Sequence, residues 1–297
     1  MMLGPLILLL AQETPALPAP ATPAKQVIEN TGKPMRVPYT CTEQDIQSFG
    51  MTCTAIDPCP IFLQVAGIET VGARIFLTGN LHNGAATMYS MLLSSGDEGK
   101  TWSEPHERIR SAGLEQIRFI DFENGWISGQ TLAAFPRDPF FLISTDGGKS
   151  WRQRPVFDEG KVGSIEQFWF QSRTQGSLVL DRTMAPETGG RYEIYETMTG
   201  GDTWMIREVS ARPLRIKAPE AGNPDWRVRS EATTKSHRVE RKQGQRWQTV
   251  AAFLVQAGEC KPEDKPLVEP PEPQPAPEVK HPTAQPVKPP TMKKRPQ

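Results

Sequence analysis

The apolar residues of this chain fall in short runs broken by turn residues. "RIFLTG" (Arg74–Gly79), "MYSMLLSS" (Met88–Ser95), "FFLIST" (Phe140–Thr145) and "YEIYET" (Tyr192–Thr197) are rich in β-branched and aromatic residues and stop at Gly, Ser or Thr. Runs of this length and composition predict strands. "LEQIRFIDFENGWISG", starting at Leu114, and "IEQFWFQSRTQGSLVL", starting at Ile165, align at an offset of 51. They share Glu115/Glu166, Gln116/Gln167, Phe119/Phe170 and Gly125/Gly176. Each unit reads as strand, loop, strand, strand, turn motif, strand. Four short strands in a unit that recurs roughly every 40–50 residues predict an all-β chain, a small β-propeller of about four to five blades.

The turn motif itself recurs. "SGDEGKTW" (Ser95–Trp102) and "STDGGKSW" (Ser144–Trp151) have one skeleton, carried by Ser95, Asp97, Gly99, Thr101 and Trp102, and by Ser144, Asp146, Gly148, Ser150 and Trp151. "TMTGGDTW" keeps Thr197, Gly201, Thr203 and Trp204 but has Thr199 in place of the Asp; "ERKQGQRW" keeps only Gly244 and Trp247. The carboxylate can collect backbone N–H groups and fix a tight turn. The glycine supplies a positive φ, and the Trp offers an apolar face for packing between blades. Repetition favours a structural role, because an enzyme needs one catalytic Asp and a blade needs its turn every time.

The Ser-x-Asp-x-Gly-x-Thr/Ser-Trp pattern resembles the Asp-box, or bacterial neuraminidase repeat. "IRFIDFENGWISG" followed by "ISTDGGKSW" is similar to the repeats of the photosystem II assembly factor family and its relatives outside photosynthesis, over about Cys59–Cys260. The resemblance implies a propeller and leaves function open, since this scaffold carries unrelated activities. A sialidase would need an arginine group, a late Tyr nucleophile assisted by Glu, and an acid Asp. "MRVPY" (Met35–Tyr39) resembles the Arg-Ile-Pro element of that family, but no Tyr follows Tyr195. The expectation is therefore a protein without catalytic residues or cofactor. A sialidase-like glycoside hydrolase is the alternative, and a purely structural envelope component the second.

Composition adds a compartment. The apolar run Leu3–Ala11 is too short to span a bilayer and suits a signal peptide over residues 1–11, though no basic residue precedes it. Residues 12–40 read as a Pro/Ala-rich linker, 41–260 as the propeller. Residues 261–297 hold 12 of the 29 prolines and no aromatic residue, and read as a disordered tail. Four cysteines, Cys41, Cys53, Cys59 and Cys260, predict two disulfides in a secreted or periplasmic chain. Three connectivities are open. Because Cys260 ends the blade array and the other three precede it, a bond from Cys260 back to that cluster would clasp the ring, with Cys59 favoured and Cys41–Cys53 as the remaining pair. His82, His106, His237 and His281 are scattered away from the cysteines, so no metal site is expected.

Charge is balanced overall, 34 basic against 34 acidic residues, so no global field steers a partner. Met205–Trp247, however, holds eleven Lys or Arg against five Asp or Glu. Within it Leu214 and Ile216 alternate with Arg215 and Lys217, and Val228 stands between Arg227 and Arg229. Such alternation gives one apolar and one wet face. Arg215, Lys217, Arg227 and Arg229 are therefore the candidate patch for an unknown protein or acidic glycan, against the plainer reading of a solvated edge. Nucleic acid and a stable membrane span are not expected, and the chain reads as a monomer.

Overall fold

A computed structural model describes residues 26–132, 135–182, 190–219 and 223–262. The expected signal peptide and nearly all of the Pro-rich tail lie outside them. Strand β1 (Ile28–Glu29) and helix α1 (Glu43–Ser48) precede four antiparallel sheets. The first holds β2 (Cys59–Val71), β3 (Arg74–His82) and β4 (Thr87–Ser95), followed by β5 (Thr101–Trp102), which pairs with β1. The second runs β6 (Ala112–Phe119), β7 (Gly125–Leu132), β8 (Pro136–Ser144), β9 (Arg152–Pro155). The third runs β10 (Ser164–Phe170), β11 (Gly176–Asp181), β12 (Tyr192–Thr197), β13 (Met205–Ser210). The fourth has β14 (Trp226–Glu231), β15 (Ser236–Gln243) and β16 (Arg246–Leu254), and β17 (Gln256–Cys260) then crosses to pair with β2. Each sheet is a meander and serves as a blade; the chain is a small β-propeller.

In the first two blades the middle strands carry near-continuous apolar runs because a neighbouring blade covers each face, whereas β15 of the fourth, "SHRVERKQ", is largely polar. Phe76 and Leu92 of the first blade meet Leu114, Ile127, Phe140 and Trp151 of the second. Trp126 and Phe141 of the second meet Phe168, Phe170 and Leu178 of the third, with Trp126 stacked on Phe170 at 4.0 Å between centroids. The fourth blade closes on the first through Val239, Ala251 and Phe253 against Leu63, Leu77 and Trp102. Between the third and fourth blades the described residues show no comparable strand-on-strand core. There Leu214 and Ile216, on an extended segment outside any sheet, lie over Val179, Tyr192 and Ile194.

Two expectations need correction. Residues 26–40 are not a linker but part of the domain: Met35 and Val37 are buried, and Met35 pairs in parallel with Phe253 on the outer edge of β16. And the clasp from Cys260 goes to Cys41, not Cys59; Cys53 bonds Cys59 instead. The reason lies in the same N-terminal segment. From Met35 beside Phe253 it continues alongside β17, with Arg36 donating to the Ala257 carbonyl and Tyr39 against Gly258. Cys41 thus arrives beside Cys260 as the chain passes. The principle of the clasp, a bond joining the start of the domain to its end across 219 residues, is present.

Candidate functional site

The turn motifs use their polar groups internally. Asp146 accepts hydrogen bonds from the Ser144 and Ser150 hydroxyls and from the amides of Lys149 and Ser150, at 2.6–3.0 Å. Asp97 accepts from Ser95 Oγ, Thr101 N and Thr101 Oγ1. Burial pushes both carboxyls up, but these bonds outweigh it and hold each down at about 2. The serine hydroxyl of each motif also takes the amide of Gly99 or Gly148, and each indole N–H donates to the carbonyl of the same glycine. Gly99 and Gly148 have φ of +88° and +78°. A side chain at Gly148 would also collide with Phe76 of the preceding blade. In the third motif Thr199 Oγ1 accepts from Thr203 N, and Trp204 again donates to Gly201 O. Around Gly244 no such set forms; Trp247 instead carries the Arg227 guanidinium on its ring at 4.1 Å.

The open side of the third blade forms a cleft of about 420 Å³. Register places Trp169, Ser177 and Glu196 in one row across β10, β11 and β12, facing the cleft, while Phe168, Leu178 and Tyr195 form the row buried against the second blade. Gln171, Ile194, Arg207 and Glu208 complete that wall, and Arg215, Ile216 and Lys217 form the other. The opposite wall is held by a repeated device. The Gln116 side chain binds the carbonyl of Glu166 at 2.8 Å, holding the inner strand of the next blade. Gln167, 51 residues on, binds Ile216 through both its amide oxygen and nitrogen. Residues 214–217 thus stand where an inner strand belongs, without joining the fourth sheet.

The expected cationic patch divides here. Leu214 and Ile216 turn inward and Arg215 and Lys217 outward, as the alternation implied. Arg215 and Lys217 line the cleft and have no hydrogen bond or ion pair among the described residues. Arg227 is not free: its Nε lies 2.7 Å from Glu240, and its guanidinium stacks on Trp247. Arg229 is exposed on β14, paired in register with Arg238, and does not line the cleft. Trp169 escaped the sequence reading. It occupies the repeat position of Arg118, and that change from charged to aromatic was the available signal.

Two buried carboxylates also went unforeseen. Asp45, which caps α1 in a capping box with Thr42, receives the hydroxyls of Tyr89 and Tyr39 at 2.5 and 3.1 Å and Arg110 Nη1 at 3.0 Å. Glu193 receives Lys161 at 2.8 Å, Arg182 at 3.0 Å and the Tyr195 hydroxyl at 2.7 Å. Burial pushes the Tyr89 hydroxyl up to about 12, and the adjoining Asp45 adds to it. Each carboxylate is saturated with donors, which fastens α1 to the first blade in one case and the loop at Lys161 to the third in the other. Among the described residues no group of three or more His, Cys, Asp or Glu could hold a metal ion, and no helix is long and apolar enough to cross a membrane.

Fold and cleft together define a small β-propeller with, among the described residues, an open face between the third and fourth blades. No protein-family profile and no curated protein matches the chain. Among solved structures it is similar to YCF48 bound to D1 peptide, at 18% identity, a TM-score of 0.37, and coverage of 67% of this chain and 60% of that one. It is also similar to the GH74 xyloglucanase from Xanthomonas campestris, at 16% identity, a TM-score of 0.33, and coverage of 46% of this chain and 19% of that one. The chain thus matches less than two thirds of either protein's length. Likenesses this distant carry no chemistry across.

Proposed function

We propose that this chain is an exported, non-enzymatic β-propeller of the Asp-box kind that binds an acidic partner, a protein or glycan of the cell envelope. The cleft beside the third blade is the binding site. The carrying observation is the pair Arg215 and Lys217, which have no ion pair among the described residues and stand opposite the half-buried ring of Trp169; with Arg207 they outnumber Glu196 and Glu208, so the cleft is net positive. A cation left unpaired on a concave surface is free to meet an anion from a partner, and burying the pair raises the value of the contact. Two disulfides support an oxidising compartment outside the cytoplasm. The saturation of Asp45, Glu193, Asp97 and Asp146 supports the non-enzymatic reading, because a carboxylate with its lone pairs engaged is poorly placed to move a proton.

The test uses oligouronates and acidic peptides titrated against the purified protein. Arg215→Gln with Lys217→Gln should weaken binding by about tenfold or more, as loss of two charge-assisted contacts implies. Binding by the wild type should fade with added salt. Salt-independent binding, or full binding by the double variant, removes the cleft. Hydrolysis of a sialoside by the purified protein overturns the non-enzymatic reading.

A further inference from the structure

The four blades treat their outer edges differently. The first ends in β5, which is covered by β1. The fourth ends in β16, whose edge takes Met35 of the N-terminal segment. The second ends in β9, a four-residue strand "RQRP" of three polar residues that closes on Pro155, a residue without an N–H. The third ends in β13, "MIREVS", six residues with no proline. Met205, Ile206 and Val209 are 65%, 53% and 50% exposed, and nothing among the described residues pairs with the strand's outer side. An unpaired, apolar edge of this length is a standing template for another strand.

We propose that β13 accepts an extended acidic segment of a partner protein by strand addition, its backbone pairing with the β13 edge. This inference rests on the binding reading above and specifies its mode. Charge selects the occupant. From Met205 to Lys217 the chain carries Arg207, Arg212, Arg215 and Lys217 against Glu208 alone. Arg207 is already paired with Glu196. Arg212, Arg215 and Lys217 outnumber Glu208, which shares the cleft face, and favour an incoming strand that alternates apolar residues, set against Ile206 and Val209, with acidic ones reaching past Glu208 toward Arg215 and Lys217. A second copy of the chain would bring the same positive charge to the same edge. A register shift beside Arg207, where Ile194 pairs with Glu208 but Tyr195 with Ile206, also interrupts the flat run that two long self-paired strands need. The chain's own segment after Pro262 is acidic at first, but its frequent prolines withhold ladder donors.

The probe is a synthetic peptide of alternating Glu and Val, titrated against the full chain, with a control N-methylated on alternate amides. The parent peptide should bind and slow hydrogen exchange at Met205–Ser210; N-methylation should cost at least about tenfold in affinity, as loss of several main-chain hydrogen bonds implies. Ile206→Gln with Val209→Gln, both at exposed positions and without change of charge, should also weaken binding of the parent peptide while leaving the melting temperature unchanged. Equal binding by the N-methylated peptide overturns strand addition; if Arg215→Gln with Lys217→Gln still weakens it, the cleft reading stands without it. Binding indifferent to both pairs of substitutions overturns both. A concentration-dependent dimer that Ile206→Gln with Val209→Gln abolishes would make a second copy the occupant and overturn the acidic partner.

Discussion

The fourth blade meets the first across a buried apolar core, and meets the third across one extended segment. At the first junction Phe253 and Trp102 pack edge to face at 5.2 Å, Asn30 ties the Gly99 carbonyl to that of Val250, and the Cys41–Cys260 bond joins the start of the propeller to its last strand. At the second, Leu214 and Ile216 cover only part of the third blade and leave the cleft. A ring assembled from a linear chain is expected to be weakest where its ends meet. Here the ends are the most heavily fastened part, and the opening sits where the repeat decays. Pro213, Pro219 and Pro224 occupy that stretch, and each removes a ladder donor. The open face is thus written into the sequence, while the closed one joins repeat residues such as Gly99 and Trp102 to Asn30 and Cys41, which lie outside the repeat.

The contrast breaks most visibly at the disulfides. Replacing Cys41 and Cys260 by Ser should lower stability by about 5 kcal/mol in the chain-entropy account, an upper figure, whereas replacing Cys53 and Cys59, which close a short loop, should cost only about 2 kcal/mol. Urea unfolding of the two double variants under non-reducing conditions measures both. Equal losses would mean that the long bond does not hold the ring.

Core substitutions give the next largest difference. Phe253, fully buried at the closed junction, should cost about 3–5 kcal/mol on truncation to Ala. Ile216 lies half-buried at the open junction, and Ile216→Ala should cost about 1–2 kcal/mol. Comparable losses from the two would show that the third and fourth blades share a core after all.

The blades were legible because their signals are local and repeated. Apolar runs, Gly-containing turns and the Gln116/Gln167 offset all survive in the sequence. The packing of residues 26–40 was not, because a Pro/Ala-rich stretch reads as linker and its parallel run beside β16 and β17 depends on a contact some 220 residues away. That same contact decides between Cys41 and Cys59, so spacing alone chose wrongly. Within the candidate site Arg215 and Lys217 could be read from alternation. Arg227 could not be excluded, because its partners Glu240 and Trp247 lie across the sheet on other strands. Trp169 declares itself only once the blade that should cover it is seen to stand apart.

The smallest effect compares turns within the well-formed blades. Asp146 anchors its turn with four hydrogen bonds to a carboxylate; Thr199 does the equivalent work with a hydroxyl. Asp146→Ala should cost about 1–2 kcal/mol at pH 7, as loss of a charged cap does, and Thr199→Ala about 0.5–1 kcal/mol. The two losses differ in their response to acid. The Asp146 carboxyl titrates at about 2 in the folded chain, below its ordinary 3.8. Its contribution is therefore whole above about pH 4 and is lost as pH falls toward 2. Wild type and Asp146→Ala should converge in stability across that window, while the gap between wild type and Thr199→Ala stays constant, since a hydroxyl does not titrate there. Urea midpoints at pH 7, 4 and 2.5 read the difference. An Asp146→Ala gap that persists undiminished at pH 2.5 would mean that the turn is held by shape and not by the charge of its carboxylate.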